Sequence, residues 1–197
     1  MESIYNLDYQ NSSLENKIVI GFDRISQVFK TLLIEESKHY NLSPIQIQLL
    51  IFINYHSENK STISYLSKEF NLSKPTVSET IKTLEKKKYI TKISDKFDTR
   101  SYFIQITDLG KSIVQQTEQY VNPLVNIISN ISEANKVMLW QSITNIINEL
   151  NNIQLINSHR TCTNCQFYSQ NNNIPYCALL NQVLKIEDIR IDCPEFK

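Results

Sequence analysis

The amino-acid sequence predicts a mainly α-helical protein with a small β-wing, followed by a short C-terminal module that carries four cysteines. Three observations predict this fold class. Apolar residues recur at helical spacing over most of residues 13–156, the spacing changes to the alternation of β-strands over 90–106, and every cysteine lies beyond residue 160. We therefore expect two domains, residues 1–156 and residues 157–197.

The composition excludes several classes of protein. With 41% hydrophobic residues, the 197-residue chain can bury a core. No stretch approaches the roughly 20 apolar residues of a membrane helix, and the N-terminus lacks a basic and then apolar leader, so we expect a cytoplasmic protein without a membrane partner. Two glycines cannot build a glycine-rich phosphate loop, and the three histidines stand in unrelated contexts, so we expect no enzyme.

The net charge of zero hides an uneven distribution of charged residues. Residues 60–105 carry ten Lys or Arg against five Asp or Glu, whereas residues 1–59 carry four against seven and residues 106–156 carry two against four. A basic segment of this size is either a solvated helix face or a surface that contacts nucleic acid. The secondary-structure elements predicted in this segment help to decide between these two interpretations.

Two helices are predicted before the basic segment. Apolar residues at helical intervals after Ser13 predict a long first helix over about 13–40. A second helix is predicted to begin after Ser43, a residue type suited to the cap, with Pro44 at the first helical position, where its missing N–H costs nothing. This helix is predicted to end at Tyr55 and is apolar nearly all round.

Two shorter helices follow, over 62–70 and about 74–87, joined by the turn Asn71-Leu72-Ser73. The later of the two has a single apolar stripe at helical spacing, which predicts that one face is buried. The opposite face is polar and short enough to enter a groove. The stripe consists of Val77, Ile81 and Leu84, and the polar face of Thr76, Ser78, Glu79, Lys82 and Thr83.

The apolar spacing then changes from the helical period to alternation. Residues 90–94 and 101–106 read as two short strands, joined by the polar hairpin 95–100 that forms a wing. Two more helices are predicted, over about 108–130 and 132–156, and Pro123 should bend or interrupt the first of them. Together these elements predict a winged helix-turn-helix domain with a helical dimerisation region.

The long apolar-striped helices at both ends of the winged domain carry more apolar surface than a monomer covers, so we expect a homodimer built from them. The alternative is that these stripes pack within one chain.

Residues 13–156 resemble the MarR family of bacterial regulators. The resemblance is carried by residues 66–90, which read LSKEFNLSKPTVSETIKTLEKKKYI, and by residues 98–110, which read DTRSYFIQITDLG. It implies a homodimer whose fourth helix enters the major groove of double-stranded DNA while a wing arginine reaches the minor groove. Many members are repressors that release DNA when a small aromatic molecule or an oxidant binds. The family usually has glycine where Lys88 stands, and we expect the turn there to be adjusted.

Candidate DNA contacts follow from this arrangement. Ser73 and Thr76 add hydroxyl donors to the free amides of a helix N-terminus, which suits phosphate contacts. Bases are candidates for contact by residues further along the helix, and Arg100 is either a solvated arginine or a probe of a narrow minor groove. Asp98 would orient Arg100. The full set of predicted DNA-binding residues is Ser73, Lys74, Thr76, Ser78, Glu79, Lys82, Lys92, Asp98 and Arg100.

The C-terminal 41 residues hold Cys162, Cys165, Cys177 and Cys193, with the spacing C-x2-C-x11-C-x15-C. Such thiols are small buried hydrophobes, disulfides or metal ligands, and the clustering favours a metal. Zinc sites are commonly built from two close pairs of ligands, whereas only the first two cysteines form such a pair here. Cys193 is followed by Pro194, a step frequent at iron–sulfur ligands.

The segments TCTNCQFY, PYCALL and DCPEF resemble small four-iron four-sulfur modules attached to some glycyl-radical enzymes. The resemblance favours such a cluster over zinc. Tyr168, Tyr176 and Phe196 would shield the centre from water, or simply pack. His159 is a spare ligand or a solvated histidine. Because the module directly follows the last long helix, we expect its metal state to alter the spacing of the two recognition helices through that helix.

Two functions remain open at this point. The first is a sequence-specific transcriptional regulator, expected to be a repressor, that binds a palindromic operator as a homodimer and is tuned by a redox-sensitive metal centre or a small-molecule effector. The alternative is a redox or protein-docking module in which the cysteine tail is the working part and the winged domain a dimer scaffold. The basic segment favours the first, since a scaffold has no need of it.

Overall fold

The computed structural model describes residues 2–94, 102–156, 160–172 and 174–197. The first half of the chain is helical. The predicted first helix is confirmed, and a one-turn helix that the sequence patterns did not predict precedes it. The helices are α1 Leu7–Gln10, α2 Leu14–His39, α3 Pro44–Tyr55, α4 Ile63–Glu69 and α5 Lys74–Lys86.

Side-chain caps define where these helices begin. At α3, the Ser43 hydroxyl accepts a hydrogen bond from the Gln46 N–H at 3.3 Å, and the Gln46 side chain accepts one from the Ser43 N–H at 3.0 Å. This reciprocal capping box, with Pro44 at the first helical position, fixes the start of the helix. Ser13, Thr62 and Ser73 cap α2, α4 and α5 in the same way with one hydrogen bond each.

The core lies where α3, α4 and α5 meet. Val77, Ile81 and Leu84, the predicted stripe of α5, are fully buried against residues of α3 and α4 such as Leu50 and Leu66. Full burial of such side chains contributes about 1.5 to 3 kcal/mol each. The apolar stripe therefore orients α5, and its polar face is turned away from the core.

Helices α2, α4 and α5 are each followed by a left-handed residue other than glycine. Asn41, Asn71 and Lys88 have φ angles of 50°, 50° and 62° after α2, α4 and α5. At Lys88 the N–H of Tyr89 donates to the carbonyl of Leu84 at 3.1 Å, which closes the helix as a left-handed glycine would. The expected adjustment of this turn is thus wrong: the turn is kept, and a lysine occupies it at a cost of roughly 1 to 2 kcal/mol.

The wing consists of two antiparallel strands, β1 Ile90–Ser94 and β2 Tyr102–Ile106, with Ile90 opposite Ile106. The N–H of Ile104 donates to the carbonyl of Ser61 at 2.9 Å, which joins the wing to the segment before α4. A Cβ on Gly110 would lie 2.0 Å from the Tyr89 carbonyl oxygen, so only glycine allows the next helix to approach the turn.

The helices after the wing are shorter than the sequence patterns predicted. The predicted interruption at Pro123 is confirmed, since one helix ends before it and another begins at Asn122 after a 3-10 turn. The last helix ends at Asn152, where Gln154 turns left-handed with a φ of 58°. The helices are α6 Asp108–Thr117, α7 Asn122–Ser129 and α8 Glu133–Asn152. Among the residues described, no helix is long and apolar enough to cross a membrane.

The C-terminal module contains a small antiparallel sheet of three strands in the order β3-β4-β5. The strands are β3 Tyr168–Asn171, β4 Ile174–Cys177 and β5 Gln182–Val183. An isolated parallel bridge between Arg160 and Asp192 joins the first and last described segments of the module. The described part of the chain is therefore mainly helical with two small sheets, one in the wing and one in the module.

Candidate nucleic-acid interface and four-cysteine pocket

The N-terminus of α5 presents the predicted phosphate-binding hydroxyls to solvent. Ser73 accepts a hydrogen bond from the Thr76 N–H at 3.2 Å, and the two hydroxyl oxygens are 2.7 Å apart. Both residues and Lys74 are exposed. Pro75 has no N–H and the Thr76 N–H is bonded to Ser73, so this end of α5 offers a phosphate the partial positive charge of the helix dipole and two hydroxyls instead of a row of free amides.

The polar face of α5 is solvent-facing, as its composition predicted. Glu79 and Lys82 are exposed and form an ion pair of 3.6 Å across one turn, while Ser78 is half-buried. An exposed pair of this kind contributes at most about 1 kcal/mol, so both side chains are free to exchange partners at small cost. Their position on a helix whose other face is fixed in the core defines a candidate surface for base contacts.

Of the three predicted DNA-binding residues in the wing, the structure describes Lys92. The Lys92 ammonium lies 2.6 Å from a Glu85 carboxylate oxygen and 5.3 Å from the centre of the Tyr102 ring. This lysine therefore ties the wing to α5, and its contact with DNA stays a prediction. Asp98 and Arg100, the other predicted wing residues, lie outside the described residues.

A cleft of about 410 Å³ opens between α2 and α3. Its walls are mainly apolar and aromatic, with a few polar groups, and its size falls in the range of small-molecule sites, about 300 to 1,000 Å³. The lining residues are Phe22, Ile25, Ser26, Phe29, Lys30, Leu33, Gln48 and Tyr120. The cleft is a candidate effector site on the longest helix of the protein.

The four cysteines line one pocket in the C-terminal module. All four are free thiols and half-buried. Of the three aromatic residues expected around them, Tyr168 lines the pocket and Tyr176 and Phe196 do not. Tyr176 precedes Cys177 in β4, and neighbouring residues of a strand point to opposite faces. The apolar wall is instead formed by Phe167, Leu179, Leu180 and Leu184.

The surroundings of the pocket shift the pKa of one of its thiols. Burial raises the pKa of Cys162, and the nearby Cys193 and Cys177 raise it further. In the opposite direction, the Arg190 N–H donates to the Cys162 Sγ at 3.2 Å. The Arg190 guanidinium also lies 3.9 Å from the Cys193 Sγ. Such N–H groups stabilise thiolate sulfur, which is the form that ligates a metal.

The side chains around the pocket bear on which metal group they could hold. Four thiolates on one zinc ion at about 2.3 Å stand roughly 3.8 Å from one another. Across the part of the chain that the structure describes, no three His, Cys, Asp or Glu side chains converge closely enough to hold a single ion. The four thiols lie around one pocket, and thiolates are the donor chemistry that both a single zinc ion and an iron–sulfur cluster use.

A buried arginine joins the module to the winged domain. Arg160 is only 5% exposed, and its guanidinium donates two hydrogen bonds to the Glu69 carboxylate, at 2.8 and 2.9 Å, and one to the Tyr65 hydroxyl at 2.7 Å. It also pairs with Asp192 and lies 5.5 Å from the centre of the Phe52 ring. We call Arg160, Glu69 and Asp192 the clamp. Nothing in the spacing of the sequence singled out Arg160.

The charge state of the clamp is held by its own contacts. Hydrogen bonds from Arg160 to Glu69 and Asp192 raise the pKa of the arginine against the effect of burial. Burial alone would raise the pKa of Asp192, but hydrogen bonds from Arg160 and His56 keep it below its ordinary value. The His56 ring, 3.0 Å from Asp192, also stacks on Phe52 of α3 with ring centres 3.8 Å apart.

Two further hydrogen bonds join the module to α8. The Trp140 indole N–H donates to the carbonyl of Ile186 at 3.1 Å, and the Thr163 hydroxyl donates to the Asn148 side chain at 2.8 Å. The module therefore contacts α3 and α4 on one side and α8 on the other.

Comparison with known proteins agrees with the winged helix fold. The MarR family model matches residues 40–101, less than a third of the chain, which begin directly after α2 and end directly before β2. The chain is thus a winged helix-turn-helix protein, and its helix-turn-helix matches that family. The comparison with curated proteins gave no match.

Solved structures share the fold at low sequence identity. MepR of Staphylococcus aureus in complex with DNA is 24% identical, with a TM-score of 0.58 over 67% of this chain and 97% of MepR. FabT of Streptococcus pneumoniae in complex with DNA is 23% identical, with a TM-score of 0.57 over 70% of this chain and 99% of FabT. Each leaves about a third of this chain unmatched.

Proposed function

We propose that this protein is a MarR-type transcriptional repressor that binds a palindromic operator as a homodimer. The observation that carries the proposal is α5. Its apolar stripe is fully buried, so its capped N-terminus and polar face point outward from a fold that MepR and FabT share in DNA complexes. In this mode α5 enters the major groove, Ser73, Lys74 and Thr76 contact phosphate, and Ser78, Glu79 and Lys82 face base edges. Arg100 reaches the minor groove with Asp98 beside it.

The homodimer is supported by apolar surface on the outer helices. Only Leu33 and Ser37 of the 26 residues of α2 are buried in the protomer. A continuous set of large apolar side chains on this helix is exposed, and such surface on an isolated chain marks an interface. The exposed members are Leu14, Ile18, Val19, Phe22, Ile25, Val28, Phe29 and Ile34. Two copies related by a two-fold axis would match a palindromic operator.

The cleft on α2 supports tuning by a small-molecule effector. Phe22, Ile25 and Phe29 belong both to the cleft and to the exposed apolar row of α2. A small aromatic ligand that binds there would contact the same helix that joins the two protomers. An effector that binds one spacing of the protomers better than another shifts the population toward that spacing.

The four cysteines support a second input, a redox-sensitive metal centre. We favour a four-iron four-sulfur cluster over zinc, held by Cys162, Cys165, Cys177 and Cys193. The thiols line one pocket with apolar walls, N–H groups of Arg190 point at two of them, and Cys193 is followed by Pro194, a step frequent at iron–sulfur ligands. When bound, a cluster supplies a centre whose oxidation state responds to its surroundings.

The test is binding of the purified protein to a fragment of its own promoter, measured by fluorescence anisotropy at several salt concentrations. If the dimer neutralises about eight phosphates, log Kd against log salt should have a slope of about 7 in magnitude. Affinity that does not depend on salt, or no affinity for any genomic fragment, would contradict the proposal.

A matched pair of variants tests the placement of α5. Lys82 is 58% exposed and pairs with Glu79 one turn before it, and Lys111 is 55% exposed and pairs with Asp108 in the same way on α6. Lys82→Ala should change which operator bases are tolerated, with a loss of about 1 to 3 kcal/mol on the best site. Lys111→Ala should bind as the wild type does. Equal affinity for both variants on all sites would remove α5 from the interface.

A further inference from the structure

The four-cysteine pocket and the helix-turn-helix meet at the clamp. Glu69 is the last residue of α4 and stands four residues before Ser73, the cap of α5. Its side chain is only 14% exposed, and both carboxylate oxygens accept hydrogen bonds from Arg160. The end of α4, and with it the turn into the recognition helix, is therefore held by a residue of the C-terminal module.

The same two backbone segments carry two residues of the clamp and two of the thiols. Arg160 lies two residues before Cys162, and Asp192 directly precedes Cys193. The segments are joined by a Cys193 N–H to Arg160 carbonyl hydrogen bond and a Cys162 N–H to Arg190 carbonyl hydrogen bond, each of 2.9 Å. A change in the position of either thiol therefore moves the residues that hold Arg160.

Loss of one partner of the clamp should strongly destabilise the fold. Removing one partner of a buried ion pair leaves an uncompensated charge, whereas the intact pair with its hydrogen bonds is satisfied. Arg160 has charged, hydroxyl and aromatic neighbours at once, in Glu69, Asp192, Tyr65 and Phe52. With so many partners at once, Arg160 stays in place only while its backbone segment holds it opposite Glu69.

We propose that the clamp transmits the metal state of the four-cysteine pocket to α4, so that operator affinity depends on whether the pocket is loaded. The inference rests on the proposed function as a DNA-binding regulator with a metal centre. Ligation of all four thiolates fixes segments 160–162 and 190–193, which keeps Arg160 on Glu69 and sets the position of α5. Loss of the metal frees the two segments, Arg160 withdraws, and α4 and α5 lose that anchor.

This route differs from the one expected from the order of the chain. The sequence placed the module next to the last long helix, and the contacts of Trp140 and Thr163 with the module offer such a path through α8. The two paths use different side chains. Glu69→Gln removes the charge that holds Arg160 and keeps the size of the side chain. Trp140→Phe removes the hydrogen bond to Ile186 and keeps an aromatic ring, so it serves as the matched variant for the other path.

The experiment compares operator affinity of metal-loaded and metal-stripped protein, prepared without oxygen, for wild type and both variants, with iron and zinc content measured for each. The wild-type affinities should differ by about 5-fold to 150-fold, the range of typical coupling between two sites. In Glu69→Gln the ratio of the two affinities should fall to within about twofold of unity, while the metal content stays unchanged. In Trp140→Phe the ratio should stay at the wild-type value. A ratio retained in Glu69→Gln, or lost equally in both variants, overturns the clamp.

Two controls separate the outcomes. A wild-type protein that binds no DNA in either state fails as a regulator, whereas one that binds DNA equally in both states retains the proposed regulator role and overturns only the inference. If Glu69→Gln does not fold, hydrogen exchange of wild-type residues 63–70 decides instead. Stripping the metal should speed exchange there, and unchanged exchange overturns the clamp.

Discussion

At the scale of single residues, Arg160 is the side chain that joins the module to the winged domain. Its guanidinium is buried and joined to carboxylates from α4 and from the module. Arg160→Met keeps much of the volume and leaves Glu69 without its charge partner. We expect a loss of about 3 to 5 kcal/mol in the free energy of unfolding, measured by urea titration.

The control for this prediction is an arginine of the same module. Arg190 is exposed, and its side chain makes one long contact to the Cys193 sulfur. Measured like Arg160→Met on metal-free protein, so that contact with a proposed metal ligand plays no part, Arg190→Met should change the free energy of unfolding by less than about 0.5 kcal/mol. Similar losses in the free energy of unfolding for both variants would show that the buried clamp contributes no more to stability than an exposed arginine does.

Lys88 is a second residue with a measurable cost. Its φ of 62° is left-handed, a conformation that costs an ordinary residue roughly 1 to 2 kcal/mol and glycine nothing. Glycine also gains freedom in the unfolded chain, which offsets about 0.4 to 1 kcal/mol. Lys88→Gly should therefore stabilise the protein by roughly 0.5 to 1 kcal/mol in urea titration.

Lys86 gives the opposite sign for the same substitution. It is the last helical residue of α5 and is exposed. Lys86→Gly should destabilise the protein by up to about 1 kcal/mol, because glycine is a poor helix former. If both glycine variants lowered stability, the left-handed turn would not be the source of strain.

At the scale of elements, the four cysteines of the module are expected to act as one unit. They lie on a 3-10 turn, the segment after it, the end of β4 and the C-terminal segment, and these elements meet at one pocket. A centre that prefers four thiolates is weakened by the loss of any one of them. Each single Cys→Ser variant should lose most of the bound iron or zinc, measured by metal analysis and by absorption near 400 nm.

A residue next to one of the cysteines but outside the pocket wall supplies a comparison. Tyr176 does not line the pocket, so Tyr176→Phe should keep the metal content of the wild type. Normal metal content in single cysteine variants would contradict a shared centre, and retained zinc without an absorption band would replace the cluster with zinc.

At the scale of the whole molecule, the exposed apolar row on α2 predicts a dimer. Val19 is 54% exposed in the protomer, and Val183 on the module is 58% exposed. A charge introduced into a two-fold interface appears twice and is desolvated in each copy. Val19→Glu should shift the protein to monomers in analytical ultracentrifugation and lower operator affinity by at least about tenfold, about 1.4 kcal/mol.

Val183→Glu carries the same substitution at a similar exposure outside the helical region. This variant should remain dimeric. Monomers for both variants, or dimers for both, would remove α2 from the proposed interface.

The local elements could be predicted from the sequence because their causes are local. The cap Ser43 with Pro44 and the stripe of Val77, Ile81 and Leu84 depend on residues within about two turns, and both predictions are confirmed. The same reasoning failed where a tertiary contact outweighed the local conformational preference of a residue. At Lys88, family resemblance suggested an altered turn, but Thr107 holds the original one by donating its hydroxyl to the Lys88 carbonyl at 2.7 Å.

The sequence by itself determined the helices, the wing and the presence of four clustered cysteines, since periodicity, caps and composition are written along the chain. Tertiary structure alone decided what the module touches. Arg160 and Glu69 are 91 residues apart in the sequence, and no spacing rule connects them. Their pairing follows from burial, because a charge removed from water at this junction is stable only with a partner brought to it by the fold.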